Sequence, residues 1–210
     1  MGKKVENCVI ISGAPEDDLD YYRTYLNEAS FIICADSGYK KCQPLSVVPN
    51  LIVGDFDSAD KPDIDCEIIS LQVRKDDTDT FHCVKEAISR GFTNIIILSG
   101  IGSRIDHTYS NILSVNYCFD RNINCSLINK NNKISVISGK TIIDNSDYKH
   151  FSLFALFDKC EGISIVNSLY ELDNVDLYPS DQFTQSNGFK DNTCEIIIKK
   201  GKLLLIQSND

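Results

Sequence analysis

The stretch Leu51-Ile52-Val53-Gly54-Asp55-Phe56-Asp57-Ser58 is a short apolar run that stops at a glycine and passes at once into alternate carboxylates. A run so short and so free of polar residues reads as a buried strand, and in open α/β sheets the residues beyond the carboxyl ends of strands are where ligands bind. Other segments between Ala35 and Asn111 repeat the arrangement. They are Ala35-Asp36-Ser37-Gly38, Lys75-Asp76-Asp77-Thr78-Asp79 and Gly100-Ile101-Gly102-Ser103-Arg104-Ile105-Asp106-His107. Carboxylates that converge from several strand ends repel one another unless a cation sits among them, and hard oxygen ligands suit Mg²⁺ shared with phosphates. The pattern therefore points to a Mg²⁺-nucleotide site.

Outward from this stretch, short apolar runs alternate with segments of helical period up to about residue 120, the signature of a parallel sheet covered by helices. Strands are expected at Cys8 to Ser12, Phe31 to Ala35, Leu51 to Val53, Glu67 to Leu71 and Asn94 to Ser99. Leu19, Tyr22 and Leu26 fit one buried helical face, and Phe81, Val84 and Ile88 fit another that Gly91 stops. Tyr109, Ile112, Leu113 and Tyr117 fit a third, interrupted by the polar Asn116. After Arg121 the pattern becomes strands separated by turn residues: Lys133 to Ser138, Phe151 to Phe157, Gly162 to Asn167, Thr193 to Lys199 and Lys202 to Gln207. Lys199-Lys200-Gly201-Lys202 reads as the loop of a hairpin between the last two. The expected architecture is a Rossmann-like α/β domain over residues 1–127, followed by a small antiparallel β-sandwich over 128–210, with the join near the polar Asn129-Lys130-Asn131-Asn132.

A chain of 210 residues with 42% hydrophobic content can bury a core without covalent staples. Its formal charge of -9 disfavours a surface for nucleic acid or anionic membrane, which needs clustered Lys and Arg. Phosphate-bearing small molecules stay compatible, because a bound cation reverses the local field. The nine cysteines are scattered, odd in number and lack a CxxC pair, and several lie inside apolar runs. Free thiols in a reducing cytoplasm are expected. Met1-Gly2-Lys3-Lys4 leads directly into a strand-like run with no secretory signal, and nothing approaches a membrane span. Glu6 stands where a myristoylation pattern wants Ser or Thr.

Alternate carboxylates after Gly54 can both reach one metal or its water shell, and Asp79 completes a small acidic cluster. The competing reading is that acidic residues prefer turns and helix N-termini, which suits Asp76, Asp77 and Asp79. The Gly100 to Arg104 loop lacks the third glycine of the dinucleotide fingerprint, and the chain has no GxxxxGK[ST]. Arg104 has a fixed fork for phosphate, or else pairs on the surface with Asp106 as a helix N-cap. His107 is a general base, a purine contact or a solvated helix-start residue. His82 and His150 have no companion at metal-ligand spacing, so zinc is not expected, and no serine sits in GxSxG.

Taken in order, these segments resemble the thiamine pyrophosphokinase family. Ala35-Asp36-Ser37-Gly38 is similar to its ADGG element, Gly54-Asp55-Phe56-Asp57-Ser58 to GDFDS, and Asp76-Asp77-Thr78-Asp79 to D-x-T-D. Gly102-Ser103-Arg104-Ile105-Asp106-His107, with Asn111 downstream, is similar to GGRxDH. Toward the C-terminus, Gly162-Ile163-Ser164, Leu169-Tyr170-Glu171-Leu172, Gln185-Ser186-Asn187 and Gly201 to Leu205 resemble the family's β-rich substrate-binding domain, with Leu169 where Lys or Arg is usual.

The resemblance implies an ATP-binding α/β domain, a thiamine-binding sandwich and a homodimer whose active sites lie between subunits. It implies transfer of pyrophosphate from Mg-ATP to the hydroxyethyl oxygen of thiamine, giving thiamine diphosphate and AMP. On that reading Asp55, Asp57 and Asp79 hold Mg²⁺, with Asp76 in support. Thr78 and Arg104 hold phosphate oxygens, and Asp36, Ser37, Gly38, Gly54, Gly102, Asp106 and His107 complete the ATP site. Tyr170 is the aromatic platform for thiamine, and Ser186 and Asn187 are its hydrogen-bonding residues. The alternatives are a diphosphokinase for another alcohol such as a hydroxymethylpterin, a Mg²⁺-dependent nucleotide hydrolase, and a non-catalytic sensor of thiamine diphosphate or nucleotide.

Overall fold

The computed structural model describes residues 6–16, 18–56, 62–72, 76–102 and 104–209. Asp57, Ser58, Lys75 and Ser103 of the motifs above lie outside them. Contacts divide the chain into two compact units, Met1–Lys130 and Asn131–Asp210.

In the first unit the strands are β1 (Asn7–Ile11), β2 (Phe31–Ala35), β3 (Leu51–Gly54), β4 (Glu67–Ser70), β5 (Asn94–Leu98) and β6 (Asn124–Ile128). They pair in parallel in the order β6-β5-β1-β2-β3-β4. Strands β1, β2, β3 and β5 are buried on both faces, which is why each is a nearly unbroken apolar run. The helices are α1 (Tyr22–Asn27), α2 (Cys42–Leu45), α3 (Asp79–Ser89) and α4 (Ile105–Phe119), with a 3₁₀ segment over Asp36–Lys41. The chain winds outward from β1 through β4, then returns to lay β5 on the other side of β1. The β1–β5 junction is thus a topological switch point, where a crevice opens at the carboxyl ends. At the opposite ends a side-chain ladder ties three strands. Asn94 Nδ2 donates to Asn7 Oδ1 and Asn124 Nδ2 donates to Asn94 Oδ1, both at 2.6 Å.

Two helical faces differ from the periodicity reading. In α3 the buried residues are Thr80, Cys83, Val84 and Ala87, so only Val84 of the expected stripe is fully inside. In α4 the buried face is Asn111, Ser114, Val115 and Cys118, while Tyr109 and Leu113 are exposed. Small residues win the close approach to the sheet here, and Asn111 stays satisfied by donating to Gly100 O at 2.8 Å. Strand β6 carries no clear strand signal in the sequence, because Asn124-Cys125-Ser126-Leu127-Ile128 has polar residues within the run.

The second unit contains β7 (Asn132–Ile137), β8 (Lys140–Asp144), β9 (His150–Ala155), β10 (Cys160–Val166), β11 (Leu172–Leu177), β12 (Asn187–Gly188), β13 (Thr193–Lys200) and β14 (Leu203–Ser208). All pair antiparallel, in the orders β12-β9-β14-β7 and β11-β10-β13-β8. The two sets share one apolar core, with Phe151, Leu153 and Leu205 from one and Ile163, Ile165 and Ile196 from the other. The expected hairpin at residues 199–202 is not formed. β13 pairs with β8 and β10, and β14 pairs with β7 and β9, so the chain crosses from one sheet to the other at this point. Gly201, at φ +103°, makes the crossing possible; a Cβ there would lie 2.9 Å from Cys160 Sγ.

All nine cysteines are free, and all except Cys66 are buried. Burial pushes the Cys8 thiol up to about 12 and that of Cys194 up to about 11. Cys42 is lowered, first by its contact with Cys34 (Sγ–Sγ 3.3 Å) and then by Lys41, but it too is shielded from solvent. Iodoacetamide at pH 8 is expected to alkylate Cys66 first in the native protein and the remainder only on unfolding, as read by peptide mass spectrometry. Rapid labelling of Cys8 or Cys83 would contradict the packing.

Candidate active site

A cavity of about 340 Å³ opens at the β1–β5 switch point. Its wall is built from strand ends: Ser12, Gly13 and Ala14 follow β1, Asp36 and Ser37 follow β2, and Gly100 and Gly102 follow β5. The N-termini of α3 and α4 close it with Thr78, Asp79 and Thr80 on one side and Arg104, His107, Thr108 and Asn111 on the other. Two helix N-termini facing one crevice make it favourable to an anion.

Asp36 adopts φ +44° and Ser99 φ +52°, left-handed conformations that are uncommon for residues with side chains. Both sit where a strand turns into the cavity wall, a place where backbone strain is characteristically stored. Gly54 is bare where β3 meets this wall: a Cβ on it would stand 3.1 Å from Asp36 Cα and 3.4 Å from Asp36 Oδ1. The segment carrying Asp55 is thereby laid against Asp36. Thr78 caps α3, its Oγ1 accepting from Phe81 N at 3.2 Å, which leaves Asp79 in the first turn.

The other expected residues fall differently. Asp76 is exposed and off the cavity wall, and the neighbouring Asp77 is engaged by Lys85. Gly38 is buried beneath the wall, against the carbonyls that end β1. Arg104 forms a two-point pair with Asp106, Nε to Oδ1 at 3.2 Å and Nη2 to Oδ2 at 2.6 Å, which holds the Asp106 carboxyl below its usual range. Asp106 is not the helix cap. Arg104 occupies that position without a side-chain cap, and Asp106 lies in the first turn, where its Oδ1 accepts from His107 N at 3.0 Å. Among the described residues no group of three or more His, Cys, Asp or Glu is gathered as a metal centre.

Several wall and support residues were not singled out from sequence. Ser12 and Thr80 share a buried hydroxyl–hydroxyl bond of 2.7 Å that ties β1 to α3. Lys41 donates to Ser12 O at 3.0 Å, and its half-buried setting lowers its pKa. These partners are 68 and 29 residues apart, so no spacing rule reveals them.

In the second unit Tyr170 is 69% exposed. Its backbone is held by Asn187, whose Oδ1 accepts from Tyr170 N at 3.0 Å and whose Nδ2 donates to Tyr170 O at 2.8 Å. Gly188 N also donates to Asn187 Oδ1, at 2.9 Å. Most of the Asn187 amide is thus spent inside the protein, presenting the Tyr170 ring outward. Ser186 adopts φ +56° and donates its N–H to Ser152 Oγ at 2.9 Å.

The protein is of the α/β class, and its cavity gathers Asp36 and Asp79 with two helix N-termini at the carboxyl ends of parallel strands. A model described as the thiamin pyrophosphokinase catalytic domain matches residues 22–127, and the chain belongs to the thiamin pyrophosphokinase family. Thiamine pyrophosphokinase of Bacillus subtilis is 25% identical over 209 residues, covering 96% of this chain and 98% of that protein. Thiamin pyrophosphokinase 1 of Caenorhabditis elegans is 24% identical, covering 94% and 86%. The crystal structure of the Bacillus subtilis thiamine pyrophosphokinase has the same fold, with a TM-score of 0.89 at 22% identity over 98% of this chain and 100% of that one.

Proposed function

We infer that the protein transfers the pyrophosphoryl group of Mg-ATP to the hydroxyethyl oxygen of thiamine, releasing AMP. Family membership makes it an ATP-dependent diphosphokinase. The observation that carries the finer reading is the meeting of Asp36, Thr78, Asp79, Gly102, Arg104 and His107, from separate motifs, on one cavity wall.

The donor set fits a hard divalent cation: it is all oxygen, with Asp79 on the wall and Asp55 brought toward Asp36 by the bare Gly54. Asp55, Asp57 and Asp79 would hold Mg²⁺, Asp76 standing off the cavity wall, and the ion when bound would supply neutralisation of phosphate charge. Thr78 and the amides at the starts of α3 and α4 orient the triphosphate. Arg104, using donors that Asp106 leaves open, steadies charge as it moves onto AMP. The thiamine oxygen forms its bond to the β-phosphorus, the bond from that phosphorus to the oxygen of AMP breaks, and the alcohol proton passes to a carboxylate of the cluster, Asp36 being the candidate. Little covalent work is left to the protein, so positioning and electrostatics dominate.

Thiamine brings a cationic thiazolium and a flat aminopyrimidine, and the exposed Tyr170 ring is the platform proposed for it, with Asn187 fixing the backbone of Tyr170 and Ser186 next to Asn187 in the chain. The working form is a homodimer. Tyr170→Ala is expected to raise the KM for thiamine about tenfold while that for ATP stays within about twofold, by steady-state kinetics. Equal changes in both would remove Tyr170 from the thiamine site.

The test of the function is incubation with ATP, Mg²⁺ and thiamine, with products separated by mass. Thiamine diphosphate and AMP in equal amounts, dependent on thiamine, are expected. AMP without the ester would mean hydrolysis, and no turnover with retained ligand binding would mean a sensor.

A further inference from the structure

Tyr22, the first residue of α1, is buried, and its phenol reaches across to the end of β5. Ser99 N donates to Tyr22 Oη at 2.8 Å, Ser99 Oγ lies 2.8 Å from the same oxygen, and Tyr22 Oη donates to Glu16 Oε2 at 3.2 Å. One phenol has a single proton and two lone pairs, so donation to Glu16 leaves both lone pairs for the two Ser99 donors. Ser99 is itself fully buried and left-handed, which turns its N–H out of the β5 ladder and makes an outside acceptor necessary. The Tyr22 oxygen is that acceptor.

The consequences run into the cavity wall. Ser99 O accepts from Ala14 N at 2.9 Å, joining the loop after β5 to the loop after β1. Further along the same loop, Gly102 is so close to Ala14 that a Cβ on it would stand 2.7 Å from Ala14 Cβ. Tyr22 therefore anchors both loops at the switch point without being on the cavity wall, and its burial raises its pKa, keeping the phenol neutral.

We propose that Tyr22 is a positioning residue of the nucleotide site: by fixing Ser99 and Glu16 it sets the spacing of the Gly13-Ala14 and Gly100–Gly102 loops, and through it the affinity for the nucleotide's phosphates. This rests on the ATP reading of the cavity given above. Tyr22→Phe removes the oxygen and keeps the ring. It is expected to weaken Mg-ATP binding about tenfold by calorimetry and to raise the KM for ATP similarly, with the KM for thiamine and kcat changing less than about threefold. Ser99→Ala removes one of the bonds to the same oxygen and is expected to shift ATP affinity in the same direction by a smaller factor, which keeps the test open if the phenylalanine variant folds poorly. Asn94→Ala breaks the amide ladder at the far end of the strands and supplies the comparison for stability alone: a lower melting temperature with ATP affinity unchanged. If Tyr22→Phe and Ser99→Ala behave like Asn94→Ala, Tyr22 is a packing residue and the proposal falls. If the wild-type protein itself binds no ATP, the nucleotide reading fails first, and that result is distinct from a wild type and a Tyr22→Phe variant that bind equally.

Discussion

Asp79→Asn is expected to reduce the rate of thiamine diphosphate formation by a factor of about 10²–10³ while leaving the fold intact, an effect of the size seen when a key electrostatic group is lost from a transfer site. The substitution keeps shape and hydrogen-bonding capacity but removes the charge. Asp79 lies in the first turn of α3 and on the cavity wall, so it faces both the helix N-terminus and the proposed metal position. Loss of its favourable interaction with the helix dipole costs about 0.5 kcal/mol, too little to unfold the domain. Product analysis by mass with a parallel thermal melt separates the effects. Activity within a factor of about three of wild type would remove Asp79 from the proposed metal site.

Gly38→Ala is expected to act on stability. A Cβ at this position would stand 2.2 Å from Ile11 O at the end of β1 and 3.1 Å from Ser12 O just beyond it, backbone atoms that have no rotamer to escape into. Overpacking of this kind costs about 3 kcal/mol or more unless the 3₁₀ segment moves away from β1. Such a movement would carry Asp36 and Ser37 with it, so any folded fraction should also be impaired in ATP binding. Urea denaturation gives the measurement, and an unchanged midpoint would mean that the close approach of the 3₁₀ segment to β1 is wrong.

What the sequence made legible follows from which physical signals are local. Buried parallel strands announce themselves as apolar runs, so β2 is read at its observed bounds and β1, β3 and β5 to within a residue or so. The strand ends carry Asp36, Ser37 and Gly102 to one cavity because topology alone directs them there, and Thr78, Asp79, Arg104 and His107 arrive on the helices that follow. Side-chain size misled the reading of α4, where Tyr109 and Leu113 face outward and Asn111 and Ser114 face the sheet. β11, Leu172-Asp173-Asn174-Val175-Asp176-Leu177, is too polar to look like a strand because most of its residues are not buried. The hydroxyl hub at Tyr22 was invisible for a different reason: its partner Ser99 is 77 residues away, and hydrogen-bond partners chosen across a fold leave no periodic trace.

The crossing at Gly201 bears on the order in which the second unit can be made. β14 is flanked by β7 and β9, both of which precede it by at least 48 residues at the nearest ends. Until residues 203–208 are available, those two flanking strands have no shared neighbour and their sheet stays in halves. The parallel strands of the first unit are all complete by Ile128. Chain synthesis therefore supplies the strands that frame the cavity well before the central strand of the other unit, and pairings this distant in sequence are slow to close. A nascent chain halted short of Leu203 should protect the first unit from protease while leaving residues 131–200 open to cleavage.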